Sequence, residues 1–343
     1  MIPIDLAPME LLGAEAIPEG PLWQYEPKWD GFRCLAHRSG EDIALTSKNG
    51  QPLARYFPEI VHALRELDGR DLVFDGELVV PLGDTLSFDA LQQRIHPAES
   101  RVRLLARTTP AYYLVFDLLR DDAGELIDRP LAERRAALER VATHFPAGSR
   151  LRLSPATDRR SVVDDWFAKT GGALDGVVAK RVDLPYRSGK RDGGMKIKRK
   201  RTADCVVGGF RWAAGNHERI GSLLLGLYDD AGRLDFVGFC SAFPVAERVA
   251  LVKRLEPYIG GTGFTGNAPG DTPSRWSRDP ERDRSYVALE PKLVLEVAFD
   301  QVTAGRIRHG ARPLRWRRDK SPAQCTIDQL VIPPHALQLL ARA

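Results

Sequence analysis

Near residue 201 the chain changes texture, and that change limits the folds open to it. Before it, strand-like runs alternate with helix-like ones. Phe32, Cys34 and Ala36 alternate with polar neighbours, Ser39-Gly40 turns the chain, and Ile43 and Leu45 resume the pattern, which predicts a hairpin. Phe57, Ile60, Val61 and Leu64 fall on one helix face. The runs 72–80, 112–119, 174–181 and 195–200 read as strands. Residues 130–141 read as a helix with Pro130 at its first position, and 162–169 as another stopped by Gly171-Gly172. After residue 201 strands dominate, at 204–212, 221–228, 234–241 and 292–299, with a turn at 229–232 and one helix, Val245–Leu255.

Two domains are the natural division of 343 residues, and the texture places them at 1–201 and 202–343. The expected class is α+β. Four or five strands with one helix in the second part predict a small barrel of the OB type. Hydrophobic residues make up 43% and charged residues 28%, ordinary for a globular chain, so disorder and low complexity are excluded. No apolar run reaches the roughly 18 residues of a membrane span. The opening MIPIDLAPME lacks the basic and apolar regions of a secretory signal, so a cytoplasmic protein with no membrane partner is expected. Cys34, Cys205, Cys240 and Cys325 form no CxxC pair, which leaves structural zinc unsupported and predicts free thiols. The net charge is only +4, yet eight Lys/Arg crowd 187–201 and seven crowd 306–320, a distribution suited to polyphosphate or nucleic acid.

Seven short segments carry the chemistry. In order they are Glu26-Pro27-Lys28-Trp29-Asp30-Gly31, Ser47-Lys48-Asn49-Gly50, Asp75-Gly76-Glu77, Phe116-Asp117, Asp175-Gly176-Val177-Val178-Ala179-Lys180, Lys196-Ile197-Lys198 and Arg317-Arg318-Asp319-Lys320. Lysine is a nucleophile only when neutral, and its usual pKa of about 10.4 leaves little free amine at neutral pH. Nearby cations favour the neutral form, and period 2 puts Lys196 and Lys198 together on one strand face. Carboxylates suit a hard divalent cation, and flat apolar walls suit a purine.

Together the segments resemble the motif set of the covalent nucleotidyltransferases, the ATP-dependent DNA ligases and capping enzymes. The DGVVAKR and RxDK forms are most similar to the stand-alone bacterial ligase C group and to the ligase domain of bacterial ligase D. The resemblance implies an adenylation domain of antiparallel sheets and helices followed by an OB domain. It implies that Lys28 attacks the α-phosphate of ATP to form lysyl–AMP, with Lys196 and Lys198 on that phosphate. Phe116 and Val178 then enclose adenine, Glu26 reads its edge, and Arg33 and Lys48 engage ribose, phosphates or the nick 5′-phosphate. Glu77 and Asp175 are the implied ligands of Mg2+ or Mn2+, with Glu77 also near the ribose and Asp30 a further candidate. Asp175 stands where many ligases carry Glu, and Lys48 where many carry Arg. Arg317, Asp319 and Lys320 are implied to position the β- and γ-phosphates, with a hinge near 199–204.

The function implied is ATP-dependent sealing of nicks in double-stranded DNA, during repair, recombination or replication, by a monomer. A primase-polymerase or Ku protein is the candidate partner. The rival readings are an RNA ligase, a capping-type nucleotidyltransferase, and a non-catalytic nucleic-acid-binding OB protein. Trp23 and Trp29 read as core. Arg306, Arg308, Arg312 and Arg315 read as phosphate contacts or solvated charges, and the loop 260–284, with Arg275, Arg278, Arg282 and Arg284, reads as a DNA-backbone contact or a mobile connector.

Overall fold

The computed structural model describes residues 6–69, 71–83, 85–168, 174–271, 285–303 and 305–331. The chain divides into two compact units, which meet in sequence between Arg199 and Lys200. Gly171-Gly172 and the arginines at 275, 278, 282 and 284 lie outside the described residues, as does all beyond 331.

The first unit holds β1 (Leu12–Ala14), β2 (Trp23–Trp29), β3 (Phe32–Ser39), β4 (Asp42–Ser47), α1 (Pro58–Arg65) and β5 (Asp71–Val79). A small hairpin, β6 (Pro81–Leu82) and β7 (Thr85–Leu86), leads to α2 (Phe88–Gln93) and α3 (Glu99–Thr108). Then come β8 (Tyr112–Asp121), β9 (Gly124–Glu125), α4 (Leu131–Ala142), β10 (Leu151–Leu153), α5 (Arg160–Ala168), β11 (Leu174–Arg181) and β12 (Gly194–Lys198). Pro130 is the N-cap of α4 rather than its first residue, and the strand expected over 195–200 stops at Lys198.

Two sheets result. The first runs β1-β12-β11-β2, the second β10-β8-β5-β3-β4 with β9 on the edge of β8. The second sheet buries one face under helices. Its Phe74, Leu78, Tyr113, Val115 and Leu118 join Phe57, Ile60 and Leu64 around α1 and Leu138 of α4. Each fully buried Leu, Ile or Phe contributes roughly 1.5–3 kcal/mol, so this packing fixes β5 and β8 firmly. Its other face meets the first sheet, where Val79 and Leu114 pack with Tyr25, Trp29, Val177, Ala179 and Ile197 and with Val163 and Trp166 of α5. Trp29 is core, as its pattern predicts, and its indole N–H donates to Ser154 Oγ at 2.8 Å. Asp117 is structural. It forms a buried fork with Arg134 of α4, at 2.8 and 2.9 Å.

The second unit holds β13 (Arg201–Ala213), β14 (Asn216–Tyr228), β15 (Leu234–Cys240), α6 (Val245–Leu255), β16 (Val287–Ala288), β17 (Val294–Phe299), β18 (Val302–Thr303), β19 (Arg306–Ile307) and β20 (Arg312–Trp316). Its main sheet runs β15-β14-β13-β17-β20, with β16 on β13. The edge strands meet where Ala311 N–H donates to Phe239 O at 2.8 Å, which curls the sheet into the OB-like barrel. There are more strands than sequence periodicity predicts because β16 and β18–β20 are too short to show a period. The hinge expected at 199–204 is mostly strand, since residues from Arg201 onward belong to β13. All four cysteines are buried free thiols.

Candidate active site

The first sheet presents a grid of side chains. Its register places Lys28, Gly176 and Lys198 in one row, Glu26, Val178 and Lys196 in the next, and Gln24, Lys180 and Gly194 in the third. Period 2 explains the sorting. Tyr25, Trp29, Val177, Ala179 and Ile197 enter the core, while the residues between them face outward. Of those outward residues, Glu26, Lys28, Val178, Lys180 and Lys196 floor a cleft of about 210 Å³. Opposite stand Arg33 of β3, Glu77 of β5 and Phe116 of β8, and Pro8–Leu11 and Lys48 complete the wall.

Gly176 makes the first row possible. The β11–β2 ladder slips between Leu174 and Gly176, leaving Asp175 unmatched in a bulge. Strict alternation would send Asp175 to the core side with Val177. The bulge, with Gly176 at φ +150°, turns its carboxylate toward the lysines instead. Asp175 Oδ2 lies 2.7 Å from Lys28 Nζ and 3.1 Å from Lys198 Nζ, while Oδ1 is buried with no hydrogen-bond partner. Lys198 is therefore not the uncommitted cation beside Lys28 that spacing alone predicts; the two amines share one oxygen. Lys196 has its pKa lowered, first by burial and then by Lys28, Lys48 and Lys198.

Arg33 forks onto the buried Asp75 at 2.5 and 2.6 Å, and Tyr186 O–H donates to the same carboxylate at 2.5 Å. Two cations rest against the Phe116 ring, Arg33 at 4.6 Å and Lys180 at 4.4 Å from its centroid. Lys48 Nζ, half exposed, pairs with Glu10 at 3.1 Å. Gly31 N–H donates to Glu77 Oε1 at 3.1 Å. A Cβ at Gly31 would stand 2.1 Å from Leu78 O, so the Asp30-Gly31 turn reaches β5 only as glycine.

Burial pushes the Glu77 carboxyl up to about 7, against the pull of Arg33 and Lys28. This has a stability consequence. Between its ordinary value of 4.5 and about 7, native Glu77 holds a proton that the unfolded chain has lost. The ligand-free protein therefore loses stability as pH rises through that window. Glu77→Gln, which cannot ionise, is expected to match the parent near pH 4.5 and exceed it at pH 8 by up to about 3 kcal/mol. Denaturant unfolding in chelator without nucleotide measures this, and a pH-independent difference would contradict it.

In the second unit, Arg317, Asp319 and Lys320 follow β20 and stand together. Arg317 forks onto Asp319 at 2.8 and 3.0 Å and reaches Asp204 of β13 at 2.9 Å; Lys320 Nζ meets Asp204 at 2.9 Å. The hydrogen bond from Arg317 holds the Asp319 carboxyl down at about 2. Of the neighbouring arginines, Arg315 pairs with Glu296 at 2.5 Å and Arg306 lies over Phe236.

Eight of the sequence-predicted site residues thus line one cleft: Glu26, Lys28, Arg33, Lys48, Glu77, Phe116, Val178 and Lys196. Asp175 and Lys198 join it through Lys28. Asp75 and Lys180 stand in the predicted segments without an assigned role, whereas Tyr186 and Glu10 escape the sequence reading. Lys180 carries a further signal, since it shares the parity of Gly176 and Val178. Asp30 lies in the turn between β2 and β3, beside Glu77. Among the described residues no group of three or more His, Cys, Asp or Glu forms a metal cluster, and no helix is long and apolar enough to cross a membrane.

Comparison with known proteins agrees with this arrangement. A family model described as the ATP dependent DNA ligase domain matches residues 14–198, and one for the ATP dependent DNA ligase C terminal region matches 216–320. The chain is 43% identical to DNA ligase C of Mycobacterium tuberculosis, over 96% of this chain and 94% of that protein. It is 42% identical to DNA ligase C1 of Mycolicibacterium smegmatis, over 92% and 90%. Among solved structures it resembles mycobacterial DNA ligase D complexed with ATP and MES, at 25% identity and TM-score 0.50, covering 94% of this chain and 98% of that one. A Lig E DNA ligase shares the fold at 16% identity and TM-score 0.55, covering 90% and 99%.

Proposed function

The chain belongs to the ATP-dependent DNA ligases, and from that premise we propose that it seals 3′-hydroxyl/5′-phosphate nicks in duplex DNA through a Lys28–AMP intermediate, in DNA repair. The observation that carries this reading is the row Lys28–Gly176–Lys198 with Asp175 clasping both amines. Lys28 must release Asp175 before its lone pair can reach phosphorus. Having given one proton to solvent, the neutral amine attacks the α-phosphorus of ATP, forming the N–P bond as the bond to pyrophosphate breaks, and a second proton leaves the nitrogen to solvent. Lys196 and Lys198 stand on β12, across β11 from Lys28, to neutralise the phosphate, charge stabilisation that is worth most where water is excluded.

The walls suit the nucleoside. Phe116 and Val178, both buried, offer apolar faces, and Glu26, on the same cleft, is assigned to the purine edge. Lys48 exposes an ammonium that can exchange Glu10 for a phosphate, while Arg33 is tied to Asp75 and serves as a fixed wall. Arg317, Asp319 and Lys320 are assigned to the pyrophosphate of ATP.

A divalent cation fits this donor set. Asp175 Oδ1 is a buried oxygen without a partner, and Glu77 is a second carboxyl on the same cleft. Two carboxylates with the phosphates and water are the ordinary environment of Mg2+. Bound there, it supplies neutralisation of phosphate charge.

The test is intact mass. Incubation with ATP is expected to add one adenylyl group, and pyrophosphate to remove it; a mass unchanged by both treatments would overturn the reading.

A further inference from the structure

Lys180 is the one charged residue of the cleft floor with no role so far, and its position is unusual. Lys180 Nζ lies 2.7 Å from Glu26 Oε2, and neither side chain is more than 4% exposed. Gln24 Nε2 donates to the other oxygen, Glu26 Oε1, at 2.9 Å. The three residues occupy neighbouring positions of the grid, Gln24 directly opposite Lys180 and Glu26 opposite Val178. A pair so removed from water gains little stability over an apolar pair of the same size, so packing alone gives weak reason for it. Its place on the cleft floor, against the Phe116 ring, suggests a recognition task instead.

We propose that Lys180 is a positioning residue that sets nucleobase choice by holding Glu26 as an acceptor-only reader of the purine 6-position. This rests on the nucleotide reading given above. A carboxylate offers about four acceptor positions and no donor. Lys180 and Gln24 take one on each oxygen and fix the plane of the group; the remaining lone pairs stay for the base. Adenine presents an amino donor at C6, whereas a 6-oxopurine presents an acceptor. Glu26 clasped by Lys180 accepts from the first and repels the second. Without the ammonium, Glu26 keeps only the Gln24 donor, its plane is no longer fixed, and the carboxylate can turn away from the 6-position so that a 6-oxo group is no longer held against it. Lys180 therefore acts through Glu26, without touching the reacting phosphorus.

The probe is inosine triphosphate, which differs from ATP only at the 6-position and its neighbouring ring N–H. Rates of protein–AMP and protein–IMP formation are measured for the wild type, Lys180→Met, Lys180→Arg, Glu26→Gln and the double variant Lys180→Met/Glu26→Gln. Lys180→Met is expected to lower the ATP-over-ITP ratio of kcat/KM at least about tenfold, the scale of one well-placed base contact. Lys180→Arg should recover most of that ratio, and the double variant should discriminate no less than Glu26→Gln alone. Should the methionine variant fail to fold, Lys180→Gln keeps a neutral N–H on Glu26, and a drop in the same ratio is expected. An unchanged ratio, or equal losses with both nucleotides, would overturn the proposal. A wild type that forms no adduct with ATP would instead sink the underlying nucleotide reading.

Discussion

Lys28→Ala is expected to abolish transfer of label from α-labelled ATP to the protein, a loss on the order of 10⁴-fold or more, as when other covalent nucleophiles are removed. The geometry leaves no substitute. Lys196 lines the same cleft from β12, two strands away from β2, and Lys198 of the same strand is already bound to Asp175. Neither can be carried to the position of Lys28 without breaking the register that pairs Gly176 with Lys198 and Val178 with Lys196. The same variant should still close a nick supplied with its 5′-phosphate already adenylylated, because that step needs no lysine nitrogen as nucleophile. Labelling and sealing of the pre-activated nick are measured on one preparation, which separates lost chemistry from lost folding. Label retained by Lys28→Ala would remove the central assignment.

Much of this site is legible in the sequence because it is built on strand alternation. Lys196 and Lys198 share a face in the chain as written, and they share it in β12. Glu26 and Lys28 are likewise two residues apart on β2. What period 2 cannot show is where a ladder slips. Asp175 reads as a residue of the Val177 side, and only its pairing partner on β2, with the odd residue squeezed out, turns it toward the amines. Phe116 is likewise unmatched, because Asp75 faces Asp117 while Gly76 faces Val115. Arg33 shows the second kind of illegibility. Its fork to Asp75 joins residues 42 apart whose contact depends on how β3 lies beside β5, and Tyr186, 111 positions beyond Asp75, closes the same network. The short β1, paired in parallel with β12, gives no periodic signal at all, yet it fixes the segment Pro8–Leu11 along the cleft.

Gly176→Ala tests the bulge directly, and a heavy loss of both stability and activity is expected. A Cβ there would stand 2.0 Å from Ile197 O, a backbone atom of the neighbouring strand that no rotamer change can move. The residue also holds φ +150°, a conformation that costs a side-chain-bearing residue about 1–3 kcal/mol before any clash. Together these predict a loss of about 3 kcal/mol or more, or a fall in Tm of roughly 6–12 °C at about 2–4 °C per kcal/mol for a unit of this size. What survives folded would have β11 pushed away from β12, widening the row in which Lys28 and Lys198 flank the glycine. A displacement near 1 Å at a reacting centre costs about 10²-fold in rate. Gly13→Ala is the control: its Cβ would meet nothing within 4 Å, so a change within about 0.5 kcal/mol is expected. Thermal unfolding and adenylylation rates of the two variants side by side decide the matter. If Gly176→Ala behaves like Gly13→Ala, the slipped ladder does not hold Asp175 against the amines. The carboxylate would then reach Lys28 through side-chain flexibility alone, and Asp175→Asn would lower adenylylation without any dependence on residue 176.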